Sequence, residues 1–103
     1  MWIHGDLWET NLLLDEHGDL GAVIDFGCLG VGDPATDLTV AWNLFDASTR
    51  EVIREHAAVD DATWDRGRGW ARSFAVIALP FYLDTNPVIV ANARRMIDAV
   101  LED

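Results

Sequence analysis

Residues 4–27 read HGDLWETNLLLDEHGDLGAVIDFG, and the fold turns on how this stretch is read. Two apolar runs, Leu12–Leu14 and residues 22–26, flank a polar segment at residues 15–19. Gly18 supplies the positive φ that a tight turn demands, so a β-hairpin is predicted. Asn11 then opens the first strand and Asp25 closes the second, with the turn midway between them. Antiparallel pairing brings those two oxygen-bearing side chains side by side at one end. Asp6 sits on the loop that feeds the same end.

Downstream the pattern changes to helix. In GDPATDLTVAWNLF, Asp33 can act as N-cap, Pro34 suits the first helical position, and Asp37 lies near the positive end. Leu38, Ala41, Trp42 and Phe45 keep a spacing of three to four residues, so one face is expected to be buried. Ser48 and Glu51 have capping-box spacing and predict a second helix over residues 48–58. A third is predicted over residues 64–83, with Trp70, Phe74, Ile77, Ala78 and Phe81 on its inward stripe. Gly67, Gly69 and Pro80 predict an irregular start and a kink. Pro87 opens a last helix through Leu101, with Ile89, Ala93, Ile97 and Val100 inward. The expected class is therefore α+β, a short β-hairpin followed by about four packed helices.

Composition narrows the partners. The 103 residues carry 7 basic and 18 acidic side chains, a net charge of −11, which argues against nucleic acid or an anionic membrane surface. The balance is compatible with a cationic small molecule or a divalent metal, and equally with an acidic surface that aids solubility. Asp46, Asp60, Asp61, Asp65 and Asp84 read mainly as a solvated face. Cys28 is the only cysteine, so an intrachain disulfide is excluded and a reducing compartment is expected. No apolar run approaches the roughly 18 residues of a membrane span, and no signal-peptide pattern opens the chain. A cytoplasmic protein is the expectation.

Asp6 and Asn11 are five residues apart, and Asp25 follows fourteen residues later within DFG. The spacing matches a phosphoryl-transfer arrangement: one carboxylate faces an acceptor hydroxyl, and two oxygen ligands hold Mg²⁺. Such transfer needs mainly positioning and charge neutralisation. Mg²⁺ takes few ligands from protein and the rest from phosphate and water. Gly27, Gly30 and Gly32 do not form a dinucleotide fingerprint. Two-metal hydrolysis would need more clustered His and Asp ligands than the sequence offers.

WIHGDLWETNLLL and GAVIDFGCLGVGDPATDLTVAW together closely resemble the aminoglycoside phosphotransferase family of small-molecule kinases. The likeness is strong over residues 2–45 and looser to the end. It implies the C-terminal lobe of a protein-kinase-like fold, with Mg²⁺ as cofactor and ATP as phosphoryl donor. By the same resemblance Asp6 is the catalytic base, Asn11 and Asp25 are the Mg²⁺ ligands, Asp37 braces the loop backbone, and His4 orients the loop. Gly5 stands where protein kinases carry the loop arginine, and only five residues separate DFG from Asp33, so a small-molecule hydroxyl acceptor is implied rather than a protein.

The lobe that grips the nucleotide would precede the loop, and Met1 leaves no room for it. The chain is thus expected to be one partial domain over residues 1–103, the N-lobe absent, with the catalytic loop and metal hairpin in 1–32 and the helical part in 33–103. Two functions follow: a phosphotransferase, or a non-catalytic remnant that associates with itself or another chain through the surface left by the missing lobe. From the residues alone, Asp37 could equally be an ordinary first-turn carboxylate. His4 reads as structural, Cys28 as a small buried thiol, and Trp42, Trp64 and Trp70 as core.

Overall fold

A computed structural model describes residues 1–102. Among them are four short strands: β1 (Trp2–Ile3), β2 (Leu12–Leu14), β3 (Leu20–Val23) and β4 (Gly30–Val31). They form two antiparallel ribbons, β2 with β3 and β1 with β4. The β2–β3 ribbon is the expected hairpin. Asp15 shapes its turn by accepting the N–H groups of His17 at 2.8 Å and Asp19 at 3.0 Å through one carboxylate oxygen. The second strand ends earlier than the apolar run suggested. Ile24 N–H still reaches the Asn11 carbonyl at 2.9 Å, but Asp25 takes φ of 58°, which turns the chain out of the ladder. The β1–β4 ribbon had no local signal, because its partners meet only through the tertiary fold.

A 3₁₀ segment, Pro34–Thr39, leads into a single α-turn, α1 (Val40–Asn43). The Asp33 side chain caps the segment by accepting Ala35 N–H at 3.1 Å. Helix α2 spans Ala47–Ala57, α3 spans Asp61–Tyr82 and α4 spans Pro87–Glu102. The start of α2 differs from the Ser48–Glu51 capping box. Asp46 is the cap, accepting Thr49 N–H at 2.9 Å and the Ser48 hydroxyl at 3.0 Å. Helix α3 likewise begins three residues before Trp64, because Asp60 accepts Thr63 N–H at 2.7 Å. It continues through both glycines and Pro80.

Trp42 is fully buried at the centre, against Trp64 with ring centroids 4.8 Å apart. Removing a buried aromatic of this kind costs about 3–5 kcal/mol. The inward face of α3 is Trp64, Gly67, Ala71 and Ala75, not the aromatic stripe expected. Trp70, Phe74, Ile77 and Phe81 lie exposed on the adjoining stripe, and only Ala78 of the expected set packs on the core. Close approach explains the reversal. A Cβ on Gly67 would stand 2.9 Å from the Leu38 Cβ, so the 3₁₀ segment and α3 meet where small residues leave room. On α4, Val90, Ala93, Met96, Ala99 and Val100 are buried, while Ile89 and Ile97 are half-buried. Cys28 is exposed, since the loop after DFG lies on the surface. The β-ribbons also leave Trp2, Leu14, Leu20 and Val31 exposed. No helix among the described residues is long and apolar enough to cross a membrane.

Asp33 ties the capped segment to α3, since Arg66 reaches its carboxylate with Nε at 3.1 Å and Nη2 at 3.3 Å. The Arg66 hydrogen bond, then the Ala35 N–H, lowers the Asp33 pKa from the ordinary 3.8 to about 2. A carboxylate depressed in the folded state adds stability that is complete above its unfolded pKa and is lost as pH falls through the folded one. The Asp33 contribution is therefore full above pH 3.8 and disappears as pH falls through about 2. Replacing Arg66→Gln should raise the Asp33 pKa in a carboxyl NMR titration. Its stability deficit in thermal melts should be largest above pH 4 and shrink toward pH 2.

Candidate active site

The loop between β1 and β2 is held from beneath by one carboxylate. Asp37, in the 3₁₀ segment, accepts His4 N–H through Oδ2 at 2.9 Å and Gly5 N–H through Oδ1 at 2.8 Å. The two consecutive amides converge on it because Gly5 adopts φ of +86°. Gly5 is needed for a second reason: a Cβ there would lie 2.7 Å from the Cys28 carbonyl oxygen. The loop thus rests directly on the segment that follows DFG.

His4 makes the next link. Its Nδ1 accepts Asp6 N–H at 3.1 Å, which assigns the proton of the neutral ring to Nε2. Nε2 then donates to the Ile24 carbonyl at 2.9 Å. Phe26 meets the imidazole edge-on with centroids 4.8 Å apart. One buried histidine therefore connects the loop to the end of the hairpin.

Asp6 and Asn11 are in direct contact. Asn11 Nδ2 donates to the Asp6 carbonyl at 2.8 Å and to its Oδ2 at 3.2 Å. With the amide nitrogen so used, Oδ1 is the atom Asn11 can offer to a cation. Asp25 lies one residue beyond the Ile24–Asn11 hydrogen bond, exposed, with Oδ1 accepting Gly27 N–H at 3.3 Å. Among the described residues no group of three or more His, Cys, Asp or Glu side chains gathers as a metal site. The donor set at the hairpin end is one carboxylate and one amide oxygen, and such hard oxygens suit Mg²⁺, which takes few protein ligands.

Asp6 also lines a cavity of about 400 Å³ between the loop and α4. Asn43 and Asn92 on its wall were not singled out in the sequence. Asn43 Nδ2 donates to the Leu7 carbonyl at 3.1 Å, and the Asn43 carbonyl accepts from Asn92 Nδ2 at 3.2 Å. Both asparagines are buried. Their signal was a polar residue within an otherwise apolar helical stripe, which marks a buried polar contact without naming its partner. A larger hollow of about 890 Å³ runs along α4 beside Arg50 and Arg94. None of Asp6, Asn11 or Asp25 lines it, so the smaller cavity is the one joined to the loop chemistry.

The structure thus sets a loop carboxylate, an amide hydrogen-bonded to it and an aspartate at the end of the hairpin. The phosphotransferase enzyme family APH matches residues 1–70, more than half of the 103 residues, and the chain belongs to it. No curated protein and no solved structure matches the chain.

Gly5 gives this geometry a direct test. Gly5→Ala should destabilise the protein by about 1–3 kcal/mol in urea denaturation, because both the positive φ and the Cys28 carbonyl oppose a side chain. Gly69→Ala, where nothing lies within 4 Å, should instead stabilise α3 by about 0.5–1 kcal/mol.

Proposed function

We propose that this chain is the catalytic-loop part of a phosphotransferase that moves the γ-phosphoryl group of ATP to a hydroxyl of a small molecule. The observation that carries the reading is the Asn11 amide bonded to both the carbonyl and the carboxylate of Asp6, inside a region that matches the family. The contact holds a base and a ligand in one fixed relation, which is what phosphoryl transfer asks of a protein.

Asp6 is the base. As the acceptor oxygen forms its bond to the γ-phosphorus, the bond from that phosphorus to the β,γ-bridging oxygen breaks and ADP leaves. The acceptor proton passes to the Asp6 carboxylate. His4 and Asp37 position the loop and touch neither reactant. Asn11 and Asp25 would hold Mg²⁺, which when bound neutralises charge on the phosphates.

The basic side chains of the chain number seven and all are arginine, so a nucleotide-gripping lysine is not among them. In this reading the chain corresponds to the C-terminal lobe of a protein-kinase-like fold. The exposed Trp2, Leu14, Leu20 and Val31 support packing against a second polypeptide body in this reading.

The test is transfer of labelled γ-phosphate from Mg-ATP to an alcohol by the purified chain. Asp6→Asn should lower the rate by about 10²–10⁴-fold, the usual contribution of a positioned base. Transfer that survives this substitution would refute the role of Asp6. No turnover at high protein concentration would remove the activity from the isolated chain.

A further inference from the structure

The cavity beside Asp6 also bears on which acceptors fit. Its apolar wall is formed by Leu7, Trp8, Phe74, Ile89 and Met96. Its polar side chains besides Asp6 are Thr39, Asn43 and Asn92, all uncharged. Asp6 is thus the one carboxylate in the lining, and in the proposed reaction it faces the hydroxyl.

Acidic residues elsewhere do not supply a second one. Glu9 is next to the lining residue Trp8, but its carboxylate faces Arg95 Nη1 at 3.5 Å. Asp46 and Asp60 cap α2 and α3, and Asp61 pairs with Arg54 at 2.6 Å. None of these acidic side chains lines the cavity, so the net charge of −11 does not place a second carboxylate in its wall. A polycationic acceptor needs a counter-charge for each ammonium it desolvates, and this lining has none to spare.

We infer that the acceptor is an uncharged alcohol with an apolar body, seated between the catalytic loop and α4. The choice of an alcohol rests on the phosphotransferase reading; the absence of a polycation rests on the lining alone. Phe74, Ile89, Asn92 and Met96 lie beyond residue 70, where the family match ends. Leu7, Trp8, Thr39 and Asn43 lie within it, so the wall is shared between the matched region and the residues after it. The overall charge is compatible with a cationic acceptor, but the lining itself favours a neutral one.

The experiment titrates the full chain, without ATP or Mg²⁺, with menthol as neutral probe and 2-deoxystreptamine as dicationic probe. Chemical shifts of the Trp8 indole N–H and the Asn43 and Asn92 side-chain amides report occupancy. Menthol should shift these signals at a concentration about tenfold or more below that needed for the dication. Phe74 is 41 % exposed, so Phe74→Glu can add a carboxylate to the wall with the core left intact. That variant should narrow or invert the ratio, while Phe74→Ala should weaken menthol without favouring the dication. Preference of the unaltered chain for 2-deoxystreptamine, or no response at these residues to either probe, overturns the inference. Menthol binding without transfer under Mg-ATP would remove the activity from the isolated chain and leave this inference standing. Transfer to 2-deoxystreptamine together with its tighter binding would remove this inference alone.

Discussion

The Asp37 carboxylate is the constraint on which the arrangement of the site depends. It gathers two consecutive amides, His4 and Gly5, at 2.9 and 2.8 Å, and so determines where the loop leaves β1. Hydrogen bonds to a charged acceptor of this sort are worth about 1.5–3 kcal/mol each. From that anchor the other contacts follow in order. His4 holds Asp6 N–H and the Ile24 carbonyl, and Asn11 closes on Asp6. The 3₁₀ segment carrying Asp37 is itself fixed by the Asp33 cap and by Gly67 of α3 beneath it. The helical core thereby sets the position of a surface loop more than thirty residues away in sequence.

This arrangement divides labour between rigidity and exposure. Trp42, Trp64 and the alanines of α3 form a dense base, whereas Asp25, Phe26 and Cys28 stay at the surface. In the proposed reaction Asp6 meets a hydroxyl and Asp25 a cation, and neither side chain is sealed in the core. The buried histidine and asparagines supply the precision that burial of the reactive groups would otherwise provide. Asp25 adds a local cost, since a non-glycine residue with φ of 58° is held there only by its surroundings.

Local chemistry was legible in the sequence and non-local packing was not. The hairpin turn follows from Asp15 and Gly18, and the nearness of Asp6 and Asn11 follows from their short separation. Asp33 is legible as a cap, whereas Asp46 and Asp60 read as a solvated face and Ser48 with Glu51 offers a capping-box pattern that the helix does not use. The face of α3 was misread because hydrophobicity favours Trp70 and Phe74, while close helix approach favours Ala71 and Ala75. The β1–β4 ribbon, the Gly5–Cys28 approach and the Asn43–Asn92 link all join segments far apart in sequence. No periodicity encodes such contacts.

The most direct measurement is native-state amide hydrogen exchange, followed by NMR, on the chain and its Asp37→Asn variant. The amide replacement leaves one oxygen where two accepted hydrogen bonds. Protection at His4 or Gly5 should fall by about tenfold or more, with the Asn11 side-chain amide signals displaced and the Trp42 and Ala71 amides unchanged. Unaltered protection at both His4 and Gly5 would contradict the role given to Asp37.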